Sequence, residues 1–227
     1  MSNQAEVERR IANAHKGKLP ELDLSGIGLT AIPDAVFHLS QLQWLSLANN
    51  QIAQIPDSLA RLSQLQRLYL GDNQIAQIRD SLARLSQLQV LYLHNNQIAR
   101  LPDSLARLLQ LQGLYLHNNQ IAQIPDSLAR LSRLQWLSLD NNPLDPEARE
   151  RYQSGGWEAL RAYLLERARG TERSWRAKLL SWEKAPSERR IFSGASEERN
   201  SSRGSIPLTI WRSRTFRFRT RRSRTSR

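Results

Sequence analysis

The sequence predicts an α/β solenoid: a curved stack of short repeats with a parallel sheet on its concave face, a helical cap at each end and a disordered basic tail. Three observations carry that prediction. A unit of 23 residues returns almost unchanged, its leucines fall at fixed offsets, and the charge of the chain changes abruptly after the last copy.

The repeat is plain in the letters. QIAQIPDSLARLSQLQ at Gln51 returns as QIAQIRDSLARLSQLQ at Gln74, QIARLPDSLARLLQLQ at Gln97 and QIAQIPDSLARLSRLQ at Gln120. Within each unit the pattern LxxLxLxxNxI recurs, first as Leu42, Leu45, Leu47, Asn50 and Ile52, with copies from Leu65, Leu88 and Leu111. Leu134, Leu137, Leu139 and Asn142 begin a sixth unit, and Leu19, Leu22 and Leu24, with Ile27 in the Asn slot, mark the first. This is similar to the signature of leucine-rich repeats, which over tandem copies is highly specific. The LxLxx segment is expected to form a short strand with inward leucines. Strands stacked about 4.8 Å apart then build a parallel sheet over one continuous core. The Asn column is expected to turn inward onto backbone groups, because buried amides need partners.

On the outer arc, IPDSLARL offers Pro56 to fix a turn, Asp57 or Ser58 to cap a short helical turn, and Leu59 and Leu62 to close the core. Asp57 and Arg61 are spaced for an i,i+4 surface pair. Arg79 replaces the proline in the third unit, which is expected to loosen one turn. Solenoid ends need covers. Val7, Ile11 and Ala14 fall on one helical face at the start; Asp145 and Pro146 begin a helix at the other end, where Trp157, Leu160 and Leu164 recur at helical spacing. The expected organisation is therefore a cap helix over 1–18, repeats over 19–144, cap helices over 145–170, a strand remnant or linker over 171–184 and a disordered basic tail over 185–227.

Composition bounds the function. There is no cysteine for a disulfide framework or thiolate site, no apolar run of about 18 residues for a membrane span, and no apolar signal core near the start, so a soluble cytoplasmic protein is expected. Net charge is +12, yet residues 1–150 hold 13 Lys and Arg against 14 Asp and Glu. The excess lies in residues 151–227, with 20 basic and 7 acidic side chains, and beyond Glu198 there are 10 arginines and no acid.

LDLSGIGLTAIP after the helix AEVERRIANAHK, the repeats, and the closing GWEALRAYLLERAR followed by WRAKLL together resemble the Roco family over roughly residues 5–180. In that family leucine-rich repeats lead into a Ras-like GTPase domain and a dimerising module. The resemblance implies that WRAKLL opens a strand leading to a phosphate-binding loop, GxxxxGK[ST]. The chain instead reads SWEKAPSERRI, with no glycine between Gly170 and Gly194. Codon degeneracy supplies a reason. Read from the third base of the Trp182 codon, the neighbouring frame permits G-E-G-A-V-G-K-T, and in the same offset Ser205 to Thr209 permits D-T-T-H, which looks like the switch region of these GTPases. A frame slip near Leu180, in the gene or in its sequencing, accounts for both. Without the loop no nucleotide residue carries over, and no cofactor, metal or enzymatic activity is expected.

What remains is the concave face, where non-leucine strand positions point to solvent. One column runs Trp44, Arg67, Val90, Gly113, Trp136; the next Ser46, Tyr69, Tyr92, Tyr115, Ser138; the third Ala48, Gly71, His94, His117, Asp140. Stacked tyrosines flanked by Trp and Arg are residue types that dominate interface hot spots, and a protein or peptide partner is expected there. A ladder copied by duplication that merely packs cross-strand is the competing reading. His94 and His117 are expected side by side, more simply as a solvated pair than as metal ligands. The tail TFRFRTRRSRTSR, with Phe216 and Phe218 among arginines, supports the alternative of a nucleic-acid or polyanion binder. Weak polyanion binding is expected of it whatever its origin, but no specific nucleic acid.

Overall fold

Leucines two apart in each unit point to the same side of an extended backbone, so each LxL becomes one three-residue strand facing the core. The computed structural model describes residues 3–183 and shows six such strands: β1 (Glu21–Asp23), β2 (Trp44–Ser46), β3 (Arg67–Tyr69), β4 (Val90–Tyr92), β5 (Gly113–Tyr115) and β6 (Trp136–Ser138). They form one sheet in chain order, every pair parallel, and the register aligns equivalent residues, with Leu45 opposite Leu68, Leu91 and Leu114 in turn. Those four leucines are fully buried, while Leu137 in the last strand is only half-buried.

Buried asparagines tie each unit to its neighbour. Asn96 Nδ2 donates to the carbonyls of Leu70 at 2.9 Å and Leu93 at 3.1 Å, while its Oδ1 accepts from the Ile75 amide at 2.9 Å. Asn73 and Asn119 repeat the pattern, Asn50 extends it to the Leu24 carbonyl and the amides of Ile27 and Leu29, and Asn142 continues it at the last unit. The residue before each of these is Asn49, Asp72, Asn95, Asn118 or Asn141, with φ between 53° and 56°. Short Asn and Asp side chains tolerate that left-handed conformation, and they form an external ladder in which Asn95 donates to Asp72, Asn118 to Asn95 and Asn141 to Asn118.

The outer arc consists of 3-10 turns at Asp34–His38, Asp57–Arg61, Asp80–Arg84, Asp103–Arg107 and Asp126–Arg130. Neither Asp57 nor Ser58 caps its turn, as the letters suggested: the N-cap is Pro56, and no side chain caps it. Nor do Asp57 and Arg61 pair among the described residues. In a 3-10 turn residues i and i+3 eclipse, so an i,i+4 pair is out of line. The aspartates reach along the stack instead, with Ser104 and Ser127 donating to the Asp80 and Asp103 of the preceding unit. Arg79 sits at φ −86° and ψ 154°, close to the prolines at equivalent positions, so its turn is not loosened. Its guanidinium lies 3.6 Å from Asp57.

Helix α1 (Asn3–Lys16) buries Val7, Ile11 and Ala14, and its Asn3 and Arg10 side chains donate to the carbonyls of Ile27 and Asp23. Helix α2 (Pro146–Glu183) starts at Asp145, whose carboxylate accepts from the Ala148 amide, and is kinked at Gly155 and Gly156. Gly156 has φ 61°, which favours glycine. Trp157, Leu160 and Leu164 are buried. Tyr152 meets the free edge of β6, donating to the Leu137 carbonyl and accepting from the Leu139 amide, each at 3.2 Å. The strand expected over 171–184 is not formed: α2 runs on through Trp175 to Glu183. Ala, Leu, Arg and Lys are strong helix formers, and this segment follows that propensity. By its contacts the chain divides into units at 1–180 and 181–227, and the tail expected over 185–227 lies outside the described residues.

Candidate functional site

The three expected columns all lie on the strands, or just after them, on the face away from the leucine core. The register places Trp44 beside Arg67, Arg67 beside Val90, Val90 beside Gly113 and Gly113 beside Trp136. Tyr69, Tyr92 and Tyr115 form a continuous stack, with centroids 4.5 and 4.4 Å apart and interplanar angles of 13° and 6°. Trp44 tilts against Tyr69 at 5.4 Å. Trp136 is 56% exposed, the most open aromatic on this face.

Two glycines make room for these rings. A Cβ at Gly71 would collide with the His94 ring, and one at Gly113 would lie 3.1 Å from the Tyr115 ring, so each side chain leans over a residue that has none. Burial raises the Tyr92 hydroxyl above the ordinary phenol range, and its neighbours Tyr115 and Tyr69 add to the effect. Tyr92 is therefore a neutral hydrogen-bonding group at physiological pH.

His94 and His117 do stand side by side, rings stacked at 4.8 Å. His94 Nε2 is 3.4 Å from Asp72, a residue the column reading missed because Asp72 belongs to the left-handed position one residue further on. His117 Nδ1 lies 3.1 Å from Ser138 Oγ, which donates in turn to Asp140 Oδ2 at 3.3 Å. Burial holds His94 below the ordinary imidazole value, His117 adds to this, and Asp72 opposes it. Among the described residues no group of three His, Cys, Asp or Glu is placed to hold a metal ion, and no helix is long and apolar enough to cross a membrane. A groove of about 990 Å³ lies elsewhere, between α1 and the outer arc of the first unit, lined by apolar Val7, Ile11, Ile27 and Leu29 together with polar Glu8, His15, Asp34 and His38.

Known proteins share this architecture. Residues 17–75, 67–121 and 86–144 match the family model for the leucine rich repeat. Among solved structures, a leucine-rich repeat protein of Leptospira interrogans aligns at 38% identity and TM-score 0.57, over 60% of this chain and 35% of that one. An internalin of Listeria monocytogenes aligns at 33% identity and TM-score 0.53, over 61% and 38%. The repeat ectodomain of the Arabidopsis thaliana receptor kinase GASSHO1/SCHENGEN3, solved in complex with CASPARIAN STRIP INTEGRITY FACTOR 2, aligns at 32% identity and TM-score 0.51, over 56% and 16%. The chain thus spans well under half the length of each. No curated protein matches.

Proposed function

The chain belongs to the leucine-rich repeat family, and from that premise we propose that it is a non-catalytic scaffold whose concave face binds a protein or peptide partner. Leucine-rich repeat domains generally mediate protein–protein interaction. The observation that carries the reading to this chain is the Trp44–Tyr69–Tyr92–Tyr115 stack with Trp136 beyond it: large, rigid amphipathic side chains held in place before any partner arrives. A plant neighbour solved in complex with a separate factor supports the same use of the architecture.

Ser46 and Ser138 already occupy the ends of the tyrosine column, so serine is a tolerated residue there. Replacing Tyr69, Tyr92 and Tyr115 together by serine is expected to abolish capture of the partner while the circular dichroism spectrum and cooperative unfolding persist. Unchanged capture would leave the ladder as cross-strand packing alone.

On its wider setting, we read α1 and the first part of α2 as end caps, the compartment as cytoplasmic, and the chain as the repeat region of a Roco-type signalling protein whose GTPase frame is displaced near Leu180. The support is the sequence around LDLSGIGLTAIP, GWEALRAYLLERAR and WRAKLL, together with the two motifs the neighbouring frame permits. Rereading the coding DNA across that point decides it.

A further inference from the structure

Stacking determines which parts of the tyrosine ladder a ligand can touch. Tyr92 is covered on both faces by its neighbours, and Tyr69 is covered by Tyr92 on one side and Trp44 on the other. Among the described residues Tyr115 has a ring stacked on one face only. Its other face looks toward β6, where the register places Ser138, a side chain too short to cover a ring. On the same face of β6, two residues to either side of Ser138, stand the exposed indole of Trp136 and the exposed carboxylate of Asp140. Ser138 donates to Oδ2 of Asp140, the Tyr152 hydroxyl also approaches this carboxylate, and among the described residues no cationic side chain pairs with it. The result is a bay with an aromatic wall, a small polar floor, an aromatic lip and an unneutralised acid.

We propose that this bay docks an arginine side chain carried by an extended segment of the partner. A planar guanidinium stacks on an uncovered tyrosine face while its edge donates to a carboxylate, a combination that an ammonium group cannot reproduce with one orientation. The charge of the surrounding face is complementary. Asp140 stands beside the bay, and the single cation among the outward strand positions, Arg67, lies on β3, three strands away from β6. The proposal rests on the concave face being the partner surface and names what that surface selects.

The test is an NMR titration of the full chain that reads the Trp136 indole N–H. The probes are capped heptapeptides of Gly and Ser around one central arginine, citrulline or lysine. The arginine peptide is expected to shift the Trp136 signal and leave Trp44 unmoved, with the citrulline peptide at least tenfold weaker. Asp140→Asn keeps an acceptor for Ser138 and is expected to bring the arginine peptide down to the citrulline level, with the thermal transition unchanged. The chain's own arginines compete with all probes alike, so the ratio of affinities is the readout. Equal binding of citrulline, an unaffected Asp140→Asn variant, or a response at Trp44 in place of Trp136 overturns the site. Lysine binding as tightly as arginine overturns the guanidinium assignment. If the arginine site fails while serine at Tyr69, Tyr92 and Tyr115 still abolishes partner capture, the concave-face reading stands without it; if capture also survives those substitutions, both fall.

Discussion

Asn96 shows how much of the repeat junction a single side chain carries. It bonds three carbonyls and one amide, and one of those carbonyls, that of Leu70, belongs like the amide to the preceding unit. Asn96→Ala strands the buried Ile75 amide, while the Leu70 and Leu93 carbonyls keep the Asn73 and Asn119 side chains, and the change is expected to cost about 1–3 kcal/mol in denaturant-midpoint measurements. The same change at Asn142, which is partly open to solvent that can replace the lost partners, is expected to cost less. His94 gives a pH signature. It faces His117 in a ring stack, Asp72 at 3.4 Å and the edge of Tyr92. Its folded value lies below the unfolded one, chiefly through burial, so as pH falls the unfolded chain takes up the proton first. The stability contribution is complete above the ordinary imidazole value of about 6.5 and is lost as pH drops through it toward the depressed folded value. The thermal midpoint is therefore expected to fall between about pH 7 and pH 5, and His94→Gln is expected to flatten that slope. A slope that survives the substitution assigns the effect to another group.

At the scale of elements, strands were legible because period-two alternation of leucine, repeated every 23 residues, leaves one way to face the core. Membership of each concave column followed from the same offset, so Tyr69, Tyr92 and Tyr115 could be aligned without coordinates. The stacking itself could not be read from the letters: it depends on how the rings tilt, Tyr115 leaning over Gly113, and side-chain tilt is not written in a period. The outer arc was legible as a turn but not as a 3-10 turn, because proline, aspartate and serine suit the start of either helix type, and only the tighter winding breaks the Asp57–Arg61 pairing. WRAKLL misled for a different reason. Its letters read as the opening of a buried strand, and the family it resembles has a sheet there; in this chain local helix propensity decides, and α2 continues to Glu183. The first asparagine of each Asn-Asn pair escaped notice because it serves a backbone angle and a surface ladder, neither of which an argument from buried amides finds.

For the molecule as a whole, charge separates what the repeats do from what the rest of the chain does. Residues 1–183 hold 20 basic and 18 acidic side chains, while residues 184–227 hold 13 basic and 3 acidic. Neutralising a polyanion's charges releases counterions in proportion to the cations engaged, so affinity for single-stranded DNA falls with salt on a slope of about −0.7 per phosphate contacted. The full chain is expected to bind single-stranded DNA and heparin with a steep slope and no sequence preference. A chain ending at Glu183 is expected to lose that binding, to keep its cooperative thermal transition within about 2 °C, because the leucine core and both asparagine ladders end before it, and to keep partner capture. Retention of polyanion binding by the shortened chain would move that activity onto the repeats, where the near balance of charge gives no reason for it. A sequence preference in the full chain would mean that the arginines had been selected to read a nucleic acid, and the displaced-frame account of residues beyond Leu180 would then fail.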